Sequence, residues 1–198
     1  MTIPPSAFAG ICESNQTSFY YAESSEVDIG YFEKYLIGKR RGTYYIFAVK
    51  TVDVNFSRVV NVFQDMKNYP KFMLGFKSIT VKRLSDSEIL ADIHFDAPLS
   101  PFVSTFTNEM EIQSNDETYL QCWQQLKEDD PRVIEKYRFA PLRNEGFWHV
   151  EKLSDNRTRI SYNSVIKPPV WIPKWAYQYF VKNSYVEMFR GIIQRANR

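Results

Sequence analysis

Beyond Gly75 the chain alternates between apolar and polar residues in short runs, and most runs stop at a cluster of small polar residues. Runs 76–84 and 88–95 flank Ser85-Asp86-Ser87, and runs 102–112 and 118–126 flank Ser114-Asn115-Asp116. Runs 146–153 and 158–166 flank Ser154-Asp155-Asn156, and 133–139 reads as a further strand. A period of two marks half-buried strands, and turns this short make successive strands antiparallel neighbours. The pattern predicts a meander and not a series of βαβ units. Upstream, 32–37 and 43–52 read as a hairpin closed by Gly38-Lys39-Arg40-Arg41-Gly42. Asp53-Val54-Asn55 then supplies helix-starting chemistry, and Phe56, Val59, Val60 and Phe63 follow at helical spacing. That helix should stop near Met66, before the turn Asn68-Tyr69-Pro70, because the residue before a proline avoids the α region.

The second helical pattern is the C-terminal one. Lys167-Pro168-Pro169-Val170-Trp171-Ile172-Pro173 is a rigid lead-in, and no proline interrupts 174–198. At about 100° per residue, Ile172, Trp175, Tyr179, Val186, Phe189 and Ile193 share one face, with Asn183 and Arg190 beside it. The expectation is therefore α+β: a curved antiparallel sheet of about seven strands wrapped around a long C-terminal helix, with a short helix after the first main strand. A sheet of that size curls as it twists, and one helix laid across it leaves a hollow. Residues 1–25 lack sustained periodicity and read as a loosely ordered leader, leaving 26–198 as one domain.

Composition changes this picture in one respect. Fifteen Phe, thirteen Tyr and four Trp make 16% of the chain, a great deal of flat apolar surface to place: some fills a core and some can line a cavity, because ligand pockets favour aromatic walls. A net charge of +2 gives no strong field for nucleic acid. The cysteines, Cys12 and Cys122, make no disulfide framework: Cys122 reads as a small buried hydrophobe, and nothing in the leader suggests a partner for Cys12. No run of about 18 apolar residues exists, and the N-terminus lacks the basic and apolar regions of an intact signal peptide. The expectation is a soluble protein, cytoplasmic by default, or periplasmic or secreted if a leader has been removed. Oligomeric state is left open.

Candidate chemistry is sparse. His94 and His149 stand alone without metal-ligand spacing, so no metal or cofactor is expected. Asp92 with His94, and Glu109 with Glu111, share strand faces and read as the solvent side of a sheet. No Gly-rich phosphate loop and no Gly-x-Ser-x-Gly elbow is present. The basic turn at 38–42 could touch an anionic membrane, although such tips more often protect a sheet edge.

Several stretches resemble a known superfamily. Val52-Asp53-Val54-Asn55-Phe56, Val62-Phe63-Gln64-Asp65 and Tyr69-Pro70-Lys71-Phe72 resemble the first helix and following turn of START-like domains. Arg138, Gly146-Phe147-Trp148-His149-Val150 and Thr158-Arg159-Ile160-Ser161-Tyr162 are similar to the START pattern of an Arg, a Gly-x-Trp strand and a Thr-x-x-x-Tyr strand. Trp171-Ile172-Pro173-Lys174-Trp175 looks like the proline-bearing start of that family's last helix. The resemblance spans roughly 43–198 and implies a helix-grip fold holding a lipid-like or other hydrophobic small molecule. The family's Arg-Asp pair is missing at Ala97-Pro98-Leu99-Ser100-Pro101-Phe102, so its sterol and phospholipid specificities do not carry over. A short bacterial-type member is the nearer comparison.

The ligand-lining candidates are Phe106, Met110, Trp123, Arg138, Trp148, Tyr162, Trp175, Tyr179, Asn183 and Val186, those nearest the start of the last helix facing the hollow. Binding or transport without catalysis is the leading reading. A polyketide cyclase or aromatase is the alternative, with His94, His149, Tyr162 or Arg138 as its only ionisable candidates. A protein-interaction module working through the outer face of the sheet is the third.

Overall fold

The computed structural model describes residues 10–12, 24–96, 103–133, 135–171 and 174–198. The expectations placed on 97–102, Ile172, Pro173 and most of the leader lie outside the described residues. Among the described residues nine strands form one antiparallel sheet: β1 (Ser24–Glu26), β2 (Lys34–Arg40), β3 (Thr43–Val52), β4 (Phe76–Arg83), β5 (Glu88–Asp96), β6 (Val103–Ser114), β7 (Thr118–Gln125), β8 (Arg143–Ser154) and β9 (Arg157–Lys167). Their spatial order is β1-β2-β3-β9-β8-β7-β6-β5-β4, so the last strand sits in the middle and pairs with the early hairpin. Helix α1 (Phe56–Gln64) follows β3 and helix α2 (Lys174–Ala196) follows β9, with a 3-10 turn at Met66–Lys71.

Local chemistry explains the joints. The β2–β3 hairpin turns on Arg41 and Gly42, both at positive φ, the twist that a two-residue hairpin loop needs, and Arg40 pairs with Thr43. Asn55 caps α1, its Oδ1 accepting from the Ser57 amide at 2.9 Å. Tyr69 then anchors the 3-10 turn by donating from its buried hydroxyl to the Phe63 carbonyl at 2.7 Å.

Period-two parity assigns the faces. Ile46, Ala48, Ile89, Ala91, Phe106, Met110, Tyr119, Trp123, Trp148, Val150, Ile160 and Tyr162 point inward and belong to one buried cluster with Phe63 of α1 and Phe189 and Ile192 of α2. Trp148 is its hub, with ring centroids 5.0 Å from Phe63, 4.4 Å from Tyr162 and 5.3 Å from Phe189. The C-terminal half of α2 thus clamps one end of the sheet. Its approach is tight: a Cβ on Gly191 would lie 1.9 Å from the Phe72 carbonyl oxygen, so only glycine lets helix and turn meet.

Four expectations change. The described part of the run 133–139 is not a strand: Arg138 makes a single bridge to Thr105, on the stretch of β6 ahead of its pairing with β7, and Glu135, Tyr137 and Phe139 meet the sheet through hydrogen bonds with His94, Thr107 and Ser104. The turn at Asn68-Tyr69-Pro70 is helical, inside the 3-10 segment. The buried stripe of α2 runs through Phe189, Ile192 and Ala196, while Tyr179 is 69% exposed, so the helix is rotated from the expected phase. Cys12 is no unpartnered leader residue: it forms a disulfide with Cys122, Cα atoms 5.2 Å apart, and is itself buried. Cys122 is fully buried as expected, on the outward parity of β7, so the disulfide pins residues 10–12 to the outer face, where the Cys12 amide approaches the Glu111 carboxylate at 3.5 Å.

Candidate functional site

The sheet has two unlike ends. At the end clamped by α1 and the last turns of α2, the inward residues Val150 and Ile160 are completely buried and apolar. At the other end α2 begins, strands β5 and β7 finish, and strands β6 and β8 start. Here inward residues become mixed. Trp123 lies 5.8 Å from Tyr162 in a stacked arrangement, and its indole Nε1 donates to Asn144 Oδ1 at 3.2 Å. The Tyr162 and Tyr185 hydroxyls are 3.4 Å apart. Burial pushes the Tyr162 hydroxyl well above its ordinary range and raises that of Tyr185 too, so both stay protonated at neutral pH.

A cavity of about 610 Å³ opens at this end, its wall including Gln125, Leu126, Tyr137, Pro141 and Asn144 together with the charged Lys127, Glu128, Arg143 and Glu145. Gly146, on the inner face beside it, allows a close approach of strand and ring. A Cβ there would lie 2.5 Å from the Trp123 ring and 2.2 Å from the Asn163 carbonyl oxygen, so the bare glycine lets the indole lie against β8. The inward positions Phe106, Asn108, Met110, Trp123, Gln125, Asn144, Trp148, Tyr162 and Ser164 carry no acid and no strong base.

The ten lining candidates separate on this geometry. Phe106, Met110, Trp123, Trp148 and Tyr162 are buried on the inner face, with Trp148 sealed into the core and Trp123 and Tyr162 toward the mouth. Val186 is half-buried on α2. Arg138, Tyr179 and Asn183 are exposed, and the side chain of Trp175 lies outside the described residues. Both histidines point outward. His94 pairs with Glu135 at 2.9 Å on the outer face, and His149 has its pKa lowered, first by burial, with Glu151 opposing. No group of three His, Cys, Asp or Glu residues able to hold a metal occurs among the described residues. No helix among them is long and apolar enough to cross a membrane. Sequence reasoning missed Asn108, Gln125 and Asn144, although each shares strand parity with an aromatic or methionine that it placed correctly.

No protein-family model matches the sequence, and no curated protein matches it. Solved structures do. The chain is similar to the STAR-related lipid transfer protein of Xanthomonas axonopodis, at a TM-score of 0.71 and 13% identity, over 88% of this chain and 99% of that one. It is similar to human STARD10, at 0.76 and 10% identity, over 98% of this chain and 80% of that one. It is also similar to the Zhui aromatase/cyclase of a Streptomyces species, at 0.61 and 14% identity, over 79% and 94%. A single antiparallel sheet gripping a C-terminal helix, superposable on all three, gives this protein a START-like helix-grip fold.

Proposed function

We propose that this protein binds a hydrophobic small molecule of lipid class between α2 and the inner face of the sheet, and carries or sequesters it without chemical change. The observation behind this reading is the mouth end of the inner face: aromatic, neutral, and continuous with a cavity of about 610 Å³, a volume within the range that holds small-molecule ligands. The similar structures named for lipid transfer support the same reading. The cyclase alternative has less behind it. Of its four ionisable candidates, both histidines stand on the outer face and Arg138 is exposed. Only Tyr162 faces inward, and burial keeps it protonated. The outer face carries ion pairs, Arg132 with Glu109 and Arg159 with Glu151 among them, which a protein partner working through that face would have to cover. Native mass spectrometry of freshly purified protein, followed by organic extraction, tests the reading. A stoichiometric apolar molecule is expected; a protein that arrives empty and takes up no hydrophobic probe sinks it.

Exchange at a bilayer surface completes the proposal. The mouth end carries Trp171 at 81% exposure, Leu142 at 66%, and exposed Val170 and Phe139. The Leu142 amide donates to the Lys167 carbonyl at 2.7 Å, and Arg143 pairs with Lys167 across β8 and β9. One strand over, Tyr44 pairs with Ile166, which brings the Lys39-Arg40-Arg41 turn to the same end. Aromatic and aliphatic groups beside clustered cations suit an anionic interface, where each cation contributes about 1 kcal/mol. Binding to vesicles of phosphatidylserine and phosphatidylcholine should exceed binding to pure phosphatidylcholine, and Trp171→Ala and Arg41→Glu should each weaken it. Equal binding to both vesicles would remove the membrane from the reading.

A further inference from the structure

Two buried acceptor atoms on neighbouring strands of the inner face lack a hydrogen-bond partner. Asn108 is 3% exposed on the inner face of β6, and its Oδ1 is buried without one. Gln125 stands directly opposite it on β7, and its Oε1 is likewise buried and unpaired. The orientation of the Gln125 amide is fixed, because its Nε2 donates to the Pro141 carbonyl at 2.8 Å, which leaves the oxygen as the free atom. Gln125 and Pro141 both line the cavity. Neighbouring donors are already engaged: Ser104 Oγ donates to the Phe139 carbonyl at 3.0 Å, and the Trp123 indole to Asn144. Arg143, the cation nearest by register, is held by Glu145. The cavity wall also carries Lys127 and Arg143 against Glu128 and Glu145, so Gln125 presents an unpaired carbonyl oxygen there, with that of Asn108 beside it, and the wall has no net positive charge.

That arrangement selects ligand chemistry. A hydroxyl or amide N–H can donate to either oxygen and relieve an unpaired buried acceptor. A carboxylate or phosphate has only acceptors to offer and would face carbonyl dipoles in a wall where Glu128 and Glu145 offset Lys127 and Arg143. We propose that Gln125 Oε1 and Asn108 Oδ1 form the polar subsite of this cavity, and that its ligand is an amphiphile with a neutral, hydrogen-bond-donating head, not a free acid. The proposal rests on the cavity reading above and adds the class of head group.

The test is competition against Nile red bound to the purified full chain, with 1-hexadecanol and palmitate, both sixteen carbons long, as competitors at pH 8. Hexadecanol is expected to displace the dye at a concentration at least about tenfold lower than palmitate. Asn108→Leu and Gln125→Leu, made separately, should each shrink that ratio toward unity. Asn108→Leu should do so without lowering the melting temperature, since it removes a buried polar group and leaves the Pro141 contact alone. Equal displacement by alcohol and acid overturns the subsite while leaving the cavity intact. A preference that survives in both variants overturns it too, by placing the selectivity elsewhere. A protein that binds neither dye nor competitor overturns the cavity reading itself and the subsite with it.

Discussion

Breaking the Cys12–Cys122 disulfide tests how the first residues are held. The bond spans 110 residues, and closing a loop of that length lowers the entropy of the unfolded chain by the equivalent of about 5 kcal/mol. That figure is a ceiling, because reduction also frees the folded state. Residues 10–12 sit on the outer face, where Cys12 is buried and its amide reaches the Glu111 carboxylate only at 3.5 Å. Ordering three residues costs roughly 1–2 kcal/mol each, and burying one cysteine returns only part of that. Once reduced, the segment should lift away, and its released entropy offsets part of the loss. The net destabilisation is then about 2–4 kcal/mol. Unfolding a chain of 198 residues carries an entropy of about 0.4 kcal/mol/K, so the melting temperature should fall by roughly 5–10 °C.

Circular dichroism melts with and without reductant, and of Cys12→Ala, measure this directly, with intact mass confirming that the oxidised chain is lighter by two hydrogens. No shift would mean that the bond does not constrain the unfolded chain. A fall well beyond 12 °C would mean that the N-terminal segment supports the sheet cooperatively, against the weak docking argued here. A disulfide that withstands purification would also suit an oxidising compartment, where such bonds persist.

Gly191→Ala should cost at least about 3 kcal/mol, because its Cβ meets backbone at Phe72 and cannot be accommodated by a rotamer change; a wild-type melting curve would show that α2 does not cross there. His149 has a folded pKa below its ordinary 6.5, so its contribution to stability is fully present above that value. The contribution declines as pH falls and is gone once pH has passed through the lowered folded value; in His149→Gln, urea titrations from pH 7.5 to 5 should show a flatter acid limb than wild type. Asn163 is 1% exposed between Phe47 and Phe147 on the outer face, and both amide atoms lack a partner, so Asn163→Val should raise stability by about 1–3 kcal/mol in urea melts.

The hairpins were legible because each is closed by its own local chemistry. Ser85-Asp86-Ser87, Ser114-Asn115-Asp116 and Ser154-Asp155-Asn156 all fall between paired strands, and register follows from where each turn sits. Inward aromatic residues were legible for the same reason, since parity is fixed once a strand begins. What escaped was everything set by contacts distant in sequence. Residues 133–139 alternate like a strand, yet β7 pairs with β6 from Asn108 onward, and beside the short stretch left open only Arg138 bridges to Thr105. The phase of α2 is set by Gly191 against Phe72, more than a hundred residues away, and a small error per residue accumulates along 23 residues of helix. The disulfide joins cysteines 110 residues apart, and only the folded sheet brings their Cα atoms within bonding range. Asn108, Gln125 and Asn144 were overlooked on polarity alone, although parity placed them inward beside Phe106, Trp123 and Gly146.

Unpaired amides occur on both faces of this sheet, and their settings give them opposite meanings. On the outer face Asn163 lies between two phenylalanines, away from the cavity at the mouth, so its burial is a cost to the fold. On the inner face Gln125 lines a cavity and Asn108 pairs with it across the strands. An acceptor in open water must shed its hydration before it can meet a ligand; Gln125 Oε1 and Asn108 Oδ1 have shed theirs on folding. A hydroxyl entering the mouth then meets oxygens whose desolvation is already complete, and only its own hydration has to be replaced. The same valine or leucine substitution that only strengthens the fold at position 163 must therefore weaken binding at position 108, and this contrast separates an unpaired group held in reserve for a ligand from one that is simply buried.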